Sequence, residues 1–201
     1  MIDARLLPLQ RAVLRSPAQW LAARGTGADA VSIAGFLVGL LAVPALACGA
    51  WTAAALLIAA NRLLDGLDGA VARIHGPTDR GAFLDISLDF LFYALVPLGF
   101  AIQDPAANAL PAAALIASFS GTGSSFLAFA AIAARRGGAS PAFPQKGIYY
   151  LGGLTEGFET IAVFLAMCLL PQAFPVLAWS FAAACAITTL LRWRMGWTAF
   201  R

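Results

Sequence analysis

The chain has 201 residues, of which 61% are hydrophobic and 11% charged, with a net charge of +3 and a mean hydropathy of +0.81. Soluble domains carry about 25% charged residues, so this composition excludes an ordinary water-soluble fold and indicates an all-α, polytopic membrane protein. The small positive charge calls for no nucleic acid partner; it is the size expected of a topology signal that also attracts anionic headgroups.

Residues 1–25 interleave Arg5, Arg11 and Arg15 with Leu6, Leu7, Val13, Leu14, Trp20 and Leu21. They contain no apolar core and no small-residue cleavage site, so a secretory signal is not expected. The pattern instead predicts an interfacial amphipathic helix lying in the headgroup plane, in contact with membrane lipids. Six apolar segments follow at 29–48, 51–73, 81–103, 109–134, 155–172 and 174–193. Each is close to the roughly 20 residues that a helix needs to cross the hydrocarbon core, so residues 26–201 are expected to form one six-helix transmembrane domain. "RRGGASPAFPQKG" (135–147) reads as the longest loop. Cys48, Cys168 and Cys185 lie in apolar segments without CxxC spacing and read as inert buried thiols.

With six spans, one side of the membrane receives Arg5, Arg11, Arg15, Arg24, Arg73, Arg80, Arg135, Arg136, Lys146, Arg192, Arg194 and Arg201. The opposite loops, around 48–51, 103–108 and 171–175, carry no Lys or Arg. The positive-inside rule therefore places both termini on the cytoplasmic side, as in a bacterial inner membrane protein.

"NRLLDGLDGAVARIHGPTDRGAFLDISLDF" (61–90) places Asp65, Asp68, Asp85 and Asp89 inside the second and third apolar segments. An ionisable group in a span is costly unless it pairs, binds an ion or faces water. Asp65 and Asp68 are three apart and Asp85 and Asp89 four apart, so each pair lies on one face of its helix. The short connection "HGPTD" makes the two helices antiparallel neighbours. At 1.5 Å per residue, Asp65 and Asp89 each lie about 12 Å from the connected ends, so all four carboxylates fall at one depth in the cytoplasmic half of the bilayer. Such a cluster repels itself in a low dielectric and calls for cations. Oxygen donors without His or Cys select hard ions, Mg²⁺ or Mn²⁺, and a pair of ions about 3.5–4 Å apart is the arrangement suited to phosphoryl chemistry. Gly66, Gly69, Ala70 and Ala72 on one helix, and Gly81 and Ala82 on the other, leave a nearly bare wall. It serves close helix packing or a flat ligand equally well. Arg73 adds a positive charge at the mouth, suited to a phosphate or pyrophosphate.

Asp65-x2-Asp68-Gly69-x2-Ala72-Arg73-x7-Gly81-x3-Asp85-x3-Asp89 resembles the signature of the CDP-alcohol phosphatidyltransferase family at all eight specified positions. The resemblance extends to the six-span layout and the interfacial first helix. It implies a phospholipid synthase that displaces CMP from a CDP-linked lipid such as CDP-diacylglycerol by the hydroxyl of an alcohol acceptor. It also implies Asp65, Asp68, Asp85 and Asp89 as metal ligands, with Asp89 the general base. Gly69, Ala72 and Gly81 would receive cytidine and Arg73 the diphosphate, in a homodimeric protein. The family's further Pro-Asn-x-x-Thr element falls here on "ADAVS", which puts Asp29 and Ser32 in the Asn and Thr positions toward the nucleotide. A helix N-cap accounts for Asp29 equally well.

The acceptor stays open. Thr122, Ser124 and Ser125 offer hydroxyls, and Glu156 and Glu159, three apart, either form an acidic acceptor pocket or serve the structure, pairing with Lys146, Arg135 or Arg136 or capping a helix N-terminus. Arg62, one turn before Asp65, either neutralises the carboxylates or reaches an acceptor phosphate. His75 and Asp79 read as solvated loop residues. A transporter also keeps carboxylates in its spans, but its site lies near the midplane between repeats, and no repeat is visible here.

Overall fold

The computed structural model describes residues 3–136 and 153–201, with side chains from residue 12 onward. Among these residues the chain is all-helical: α1 (Asp3–Ala23), α2 (Ala28–Leu40), α3 (Ala42–Ala47), α4 (Trp51–His75), α5 (Asp79–Gln103), α6 (Pro105–Arg135), α7 (Gly157–Leu169), a 3-10 turn (Pro171–Ala173) and α8 (Phe174–Ala199). Lys146 and most of the 135–147 stretch lie outside the described residues.

Among the described residues, four helical segments are long and apolar enough to cross a membrane: Ala28–Ala47, Asp79–Gln103, Pro105–Arg135 and Pro171–Ala199. The other two sequence segments differ for identifiable reasons. α4 has the length, at 25 residues, but carries Arg62, Asp65 and Asp68 in its middle. α7 has only 13 residues, because Leu170 is forced out of the helical region ahead of Pro171. The first segment is broken at Leu41. Pro44 has no N–H to give the Leu40 carbonyl, and the neighbouring bonds, Leu41 N–H to Leu37 O and Ala45 N–H to Leu41 O, stretch to 3.3 and 3.4 Å.

α1 is helical as the sequence predicts, and its apolar side is divided. Leu14 and Ala18 are buried against Ala70 and Val71 of α4, while Val13 and Trp20 stay exposed. Arg24 lies 3.6 Å over the Trp20 ring. This packing sets α1 directly behind the turn of α4 that carries Asp68 and Gly69.

Aromatic side chains dominate the core. Phe100 stacks on both Trp51 and Phe174, with centroids 5.5 and 4.4 Å away, and Phe119 makes edge contacts with Phe164 and Phe181. Offset and edge-on ring pairs each add about 0.5–1.5 kcal/mol beyond the area they bury. The core residues of α4 and α5 lie on single stripes. On α4, Ala54, Ile58 and Asn61 are buried and lead at helical spacing to Asp65 and Asp68; on α5, Phe100, Val96 and Phe92 lead to Asp89 and Asp85. The carboxylates therefore continue the inward seam of each helix.

Glycines let the helices close on one another. A Cβ at Gly39 would meet the Asn61 side chain at 2.8 Å and the Phe92 ring at 2.9 Å, and one at Gly99 would meet Leu46 Cβ at 2.8 Å and the Val43 carbonyl at 3.2 Å. Backbone and Cβ atoms cannot swing aside as a side-chain tip can, so Gly99→Ala is expected to destabilise by about 1–3 kcal/mol. Gly196→Ala, whose Cβ would sit at an ordinary 3.6 Å contact, serves as the neutral control. Thermal unfolding of the detergent-solubilised proteins compares the two.

Candidate active site

The antiparallel pair α4 and α5 is set by its connection. Gly76 ends α4 with φ +95°, a conformation that side chains rarely adopt. Thr78 then caps α5 by accepting a hydrogen bond from the Gly81 amide at 3.0 Å. The turn is short enough to bring the two carboxylate-bearing faces together.

One carboxylate oxygen from each of Asp65, Asp68 and Asp85 lies within 4.8 Å of the others. They grade outward from buried Asp68 through half-buried Asp65 to exposed Asp85. Ser32 of α2 donates to Asp68 Oδ2 at 2.5 Å. Its oxygen also lies 3.2 Å from the Ala28 carbonyl. A hydroxyl has one proton, and the shorter, charge-assisted bond to the carboxylate is the stronger claim on it. These side chains line a cleft together with Gly35, Phe36, Asn61, Arg62, Leu88 and Asp89.

Asp89 lines that cleft but is held differently. Arg62 Nη2 lies 2.5 Å from its Oδ1, the Tyr93 hydroxyl lies 3.5 Å from its Oδ2, and Arg62 Nη1 reaches Asp65 at 3.5 Å. The arginine is steadied in turn. Its Nε donates to Asn61 Oδ1 at 3.0 Å, and Asn61 Nδ2 donates to the Gly35 carbonyl at 2.9 Å. Of the two sequence readings of Arg62, the structure carries the neutralising one.

The remaining candidates surround the cleft. At Gly69 an added Cβ would meet, among the described residues, only the Arg73 guanidinium, at 3.5 Å, so the wall they leave is open apart from the arginine that lies over it. Ala72 is half-buried on the same helix and Arg73 is exposed. Gly81 lies close enough to α2 that a Cβ would meet Asp29 Oδ1 at 3.2 Å. Asp29 is in the first turn of α2, whose N-cap is Gly27, so the N-cap reading of Asp29 fails. Its carboxylate takes the Arg80 guanidinium at 2.6 Å, a pair largely open to solvent on the arginine side and so of small energetic weight.

Glu156 and Glu159 form a capping box at the start of α7. Glu156 accepts from the Gly153 amide and from the amide of Glu159, and Glu159 accepts from the Glu156 amide at 3.1 Å. Their carboxylates cap a helix, as one of the two sequence readings held. Asn61, Tyr93 and Arg192 were not singled out by the sequence. Arg192 is buried on α8, where it donates to the Thr122 carbonyl at 2.8 Å and lies over the Phe126 ring. A usable signal existed for each: a polar or basic side chain on the inward face of an apolar helix needs a partner there.

The donor set suits a divalent ion. Three carboxylate oxygens converge without nitrogen or sulfur donors, which is the preference of Mg²⁺ or Mn²⁺. Membrane-length helices beside such a carboxylate cleft define the class as an integral membrane protein with a candidate divalent-metal site. The CDP-alcohol phosphatidyltransferase family pattern matches residues 26–191. The chain belongs to that family: it transfers a phosphatidyl or related group from a CDP-linked lipid to an alcohol in lipid biosynthesis.

Its relatives span a range of likeness. It is 50% identical to Inner membrane protein YnjF of Escherichia coli over 192 residues, 96% of this chain and 93% of that one. It is 42% identical to archaetidylinositol phosphate synthase of Methanothermobacter thermautotrophicus over 73 residues, 36% of this chain and 37% of the relative. Among solved structures, Mycobacterium tuberculosis phosphatidylinositol phosphate synthase PgsA1 with CDP-DAG bound superposes with a TM-score of 0.76 at 24% identity, over 93% of this chain and 94% of that one. At that identity the match shows the shared fold. The same enzyme in complex with manganese and citrate gives a TM-score of 0.70 at 26% identity, over 92% and 89% of the two chains.

Because the Ser32 hydroxyl orients the most buried carboxylate of the group, Ser32→Ala is expected to lower kcat/KM about tenfold, the worth of one charge-assisted hydrogen bond. The thermal unfolding midpoint should change little. Steady-state CMP release together with a melting curve separates the two effects.

Proposed function

We propose that the chain moves the phosphatidyl group of CDP-diacylglycerol to an alcohol acceptor, with Asp65, Asp68 and Asp85 holding the metal and Asp89 serving as ligand and general base. The carrying observation is the convergence of the three carboxylate oxygens within 4.8 Å, on the family's motif, in a cleft that Asp89 also lines. The PgsA1 complexes with CDP-DAG and with manganese support the same reading.

In this reading the cytidine rests on the wall made by Gly69, Ala72 and Gly81, where an added Cβ at Gly69 would meet no described residue but Arg73. Arg73, over that wall, takes the diphosphate, and Asp29 and Ser32 border the nucleotide from α2. The acceptor oxygen attacks the phosphorus that bears the diacylglycerol, a new P–O bond forms, and the P–O bond to the CMP moiety breaks. The acceptor's proton passes to Asp89, which Arg62 and Tyr93 hold at a fixed orientation in the cleft. When bound, the divalent cation neutralises charge on the diphosphate oxygens.

Residues 26–201 form a single domain of six spans, with α4 and α7 completing the four apolar ones, and residues 1–25 lie at the interface. Both termini and the cleft face the cytoplasm across a bacterial inner membrane; the distribution of Arg and Lys among the loops and the name of the Escherichia coli relative support this. The protein works as a homodimer, as the family resemblance implies. The donor's acyl chains stay in the bilayer while its headgroup enters the cleft.

The acceptor is the least constrained part. The short matches to an archaetidylinositol phosphate synthase and to a phosphatidylcholine synthase cover 36% and 39% of this chain, and those two names point to acceptors of opposite charge. Purified protein supplied with CDP-diacylglycerol and a panel of alcohols, phosphorylated and not, is expected to release CMP with one of them and to yield the matching lipid by mass spectrometry. Failure with every acceptor and CDP-linked donor would sink the assignment.

Two further outcomes test the machinery. Excess EDTA is expected to stop CMP release, and added Mg²⁺ or Mn²⁺ to restore it. Asp89→Asn is expected to lower kcat by at least about a hundredfold, the usual contribution of a general base, while the protein still elutes as a folded species. Undiminished turnover would remove Asp89 from the reaction.

A further inference from the structure

We infer that Arg62 is a resident counter-cation that makes the two halves of the carboxylate cleft unequal. One divalent ion binds tightly among Asp65, Asp68 and Asp85, and a second ion binds more weakly because it must draw Asp89 away from this arginine. The inference rests on the metal reading above and goes beyond it, since the motif by itself presents its four aspartates as equivalent ligands.

The geometry makes the asymmetry. Arg62 stands one turn before Asp65 on the same helix, yet it is 3.5 Å from Asp65 and 2.5 Å from Asp89 on the facing helix. Its charge is thus committed to the carboxylate outside the converging group of three. A guanidinium is permanently charged, so it cannot step aside by losing a proton when a metal approaches. Its side chain is largely buried, about 18% exposed, and solvent therefore screens it poorly.

Several contacts keep it in place. The Nε–Asn61 bond and the Asn61–Gly35 bond tie it through α4 to the backbone of α2. Asn61 is itself buried and wedged against Gly39, where a Cβ would come within 2.8 Å of its Nδ2. The Phe92 and Tyr93 rings, with centroids 5.5 and 5.7 Å from the guanidinium carbon, present their faces to the charge. Moving Arg62 off Asp89 disturbs this whole set, whereas an ion entering among Asp65, Asp68 and Asp85 leaves the Arg62–Asp89 pair and its supports in place.

Mn²⁺ titration of the purified full-length protein in detergent tests this, with free Mn²⁺ read by electron paramagnetic resonance. The wild type should bind one ion tightly and a second at least about tenfold more weakly, a difference that one poorly screened charge supplies. Arg62→Gln should tighten the second ion about tenfold or more and change the first much less, and Arg62→Lys, which keeps the charge, should stay nearer the wild type. Asp89→Asn should remove the weak ion and leave the tight one, a comparison that holds even if Arg62→Gln does not fold. Two equal sites in the wild type, a second site indifferent to loss of the Arg62 charge, or loss of the tight ion in Asp89→Asn would each overturn the inference while leaving metal binding intact. Absence of any bound Mn²⁺ in the wild type would instead overturn the metal reading, and the inference with it.

Discussion

Like charges gathered between apolar helices are the constraint around which this chain is arranged. Asp65, Asp68 and Asp85 place oxygens within 4.8 Å of one another between helices that are otherwise lined with Ala, Ile, Val and Phe. In a medium of low dielectric their repulsion exceeds what any single packing contact returns. The fold meets the charge with the Ser32 hydroxyl on Asp68 and the Arg62 guanidinium on Asp89. What remains is a group of three carboxylate oxygens suited to a divalent cation. Catalysis of diphosphate cleavage draws on the same electrostatic need that the cluster creates.

The supporting elements read as means of holding that cluster still. Close approach of α2 to α4 at Gly35 and Gly39 lets Ser32 reach Asp68 and lets Asn61 hold the Gly35 carbonyl. The aromatic core from Trp51 through Phe100 to Phe174 fixes the far halves of α4 and α5, so the carboxylate halves meet in one register. Behind the motif, Leu14 and Ala18 of α1 press on Ala70 and Val71. Apolar packing on one half of each helix thereby offsets polar, self-repelling chemistry on the other half.

The active region also divides by exposure. Asp68 is buried and bonded, Asp85 is exposed, and Arg73 and Arg80 stand in the open near the Gly69 and Gly81 wall. Such a gradient suits a substrate whose headgroup enters from water while its tails remain in lipid. The capping box of Glu156 and Glu159 withdraws two acidic groups from this arrangement, and buried Arg192 adds a cation on the inner face of α8.

Much of this was legible in the residues themselves. Hydropathy gives a helical membrane protein, and the spacing Asp65, Asp68, Asp85, Asp89 with Gly69, Ala72, Arg73 and Gly81 identifies the family, because helical periodicity and a short antiparallel turn leave those side chains little choice of face. Residue order could not say which charges pair across helices. Asp29 reads equally as an N-cap or a nucleotide contact until Arg80, 51 positions away, is seen against it, and Arg62 could have faced Asp65 on its own helix. Its commitment to Asp89 depends on the rotation of α5 against α4 and on Asn61 meeting a carbonyl of α2. Local periodicity fixes the face on which a side chain lies, but the partner found there is decided by how the helices pack, and only the tertiary structure holds that information.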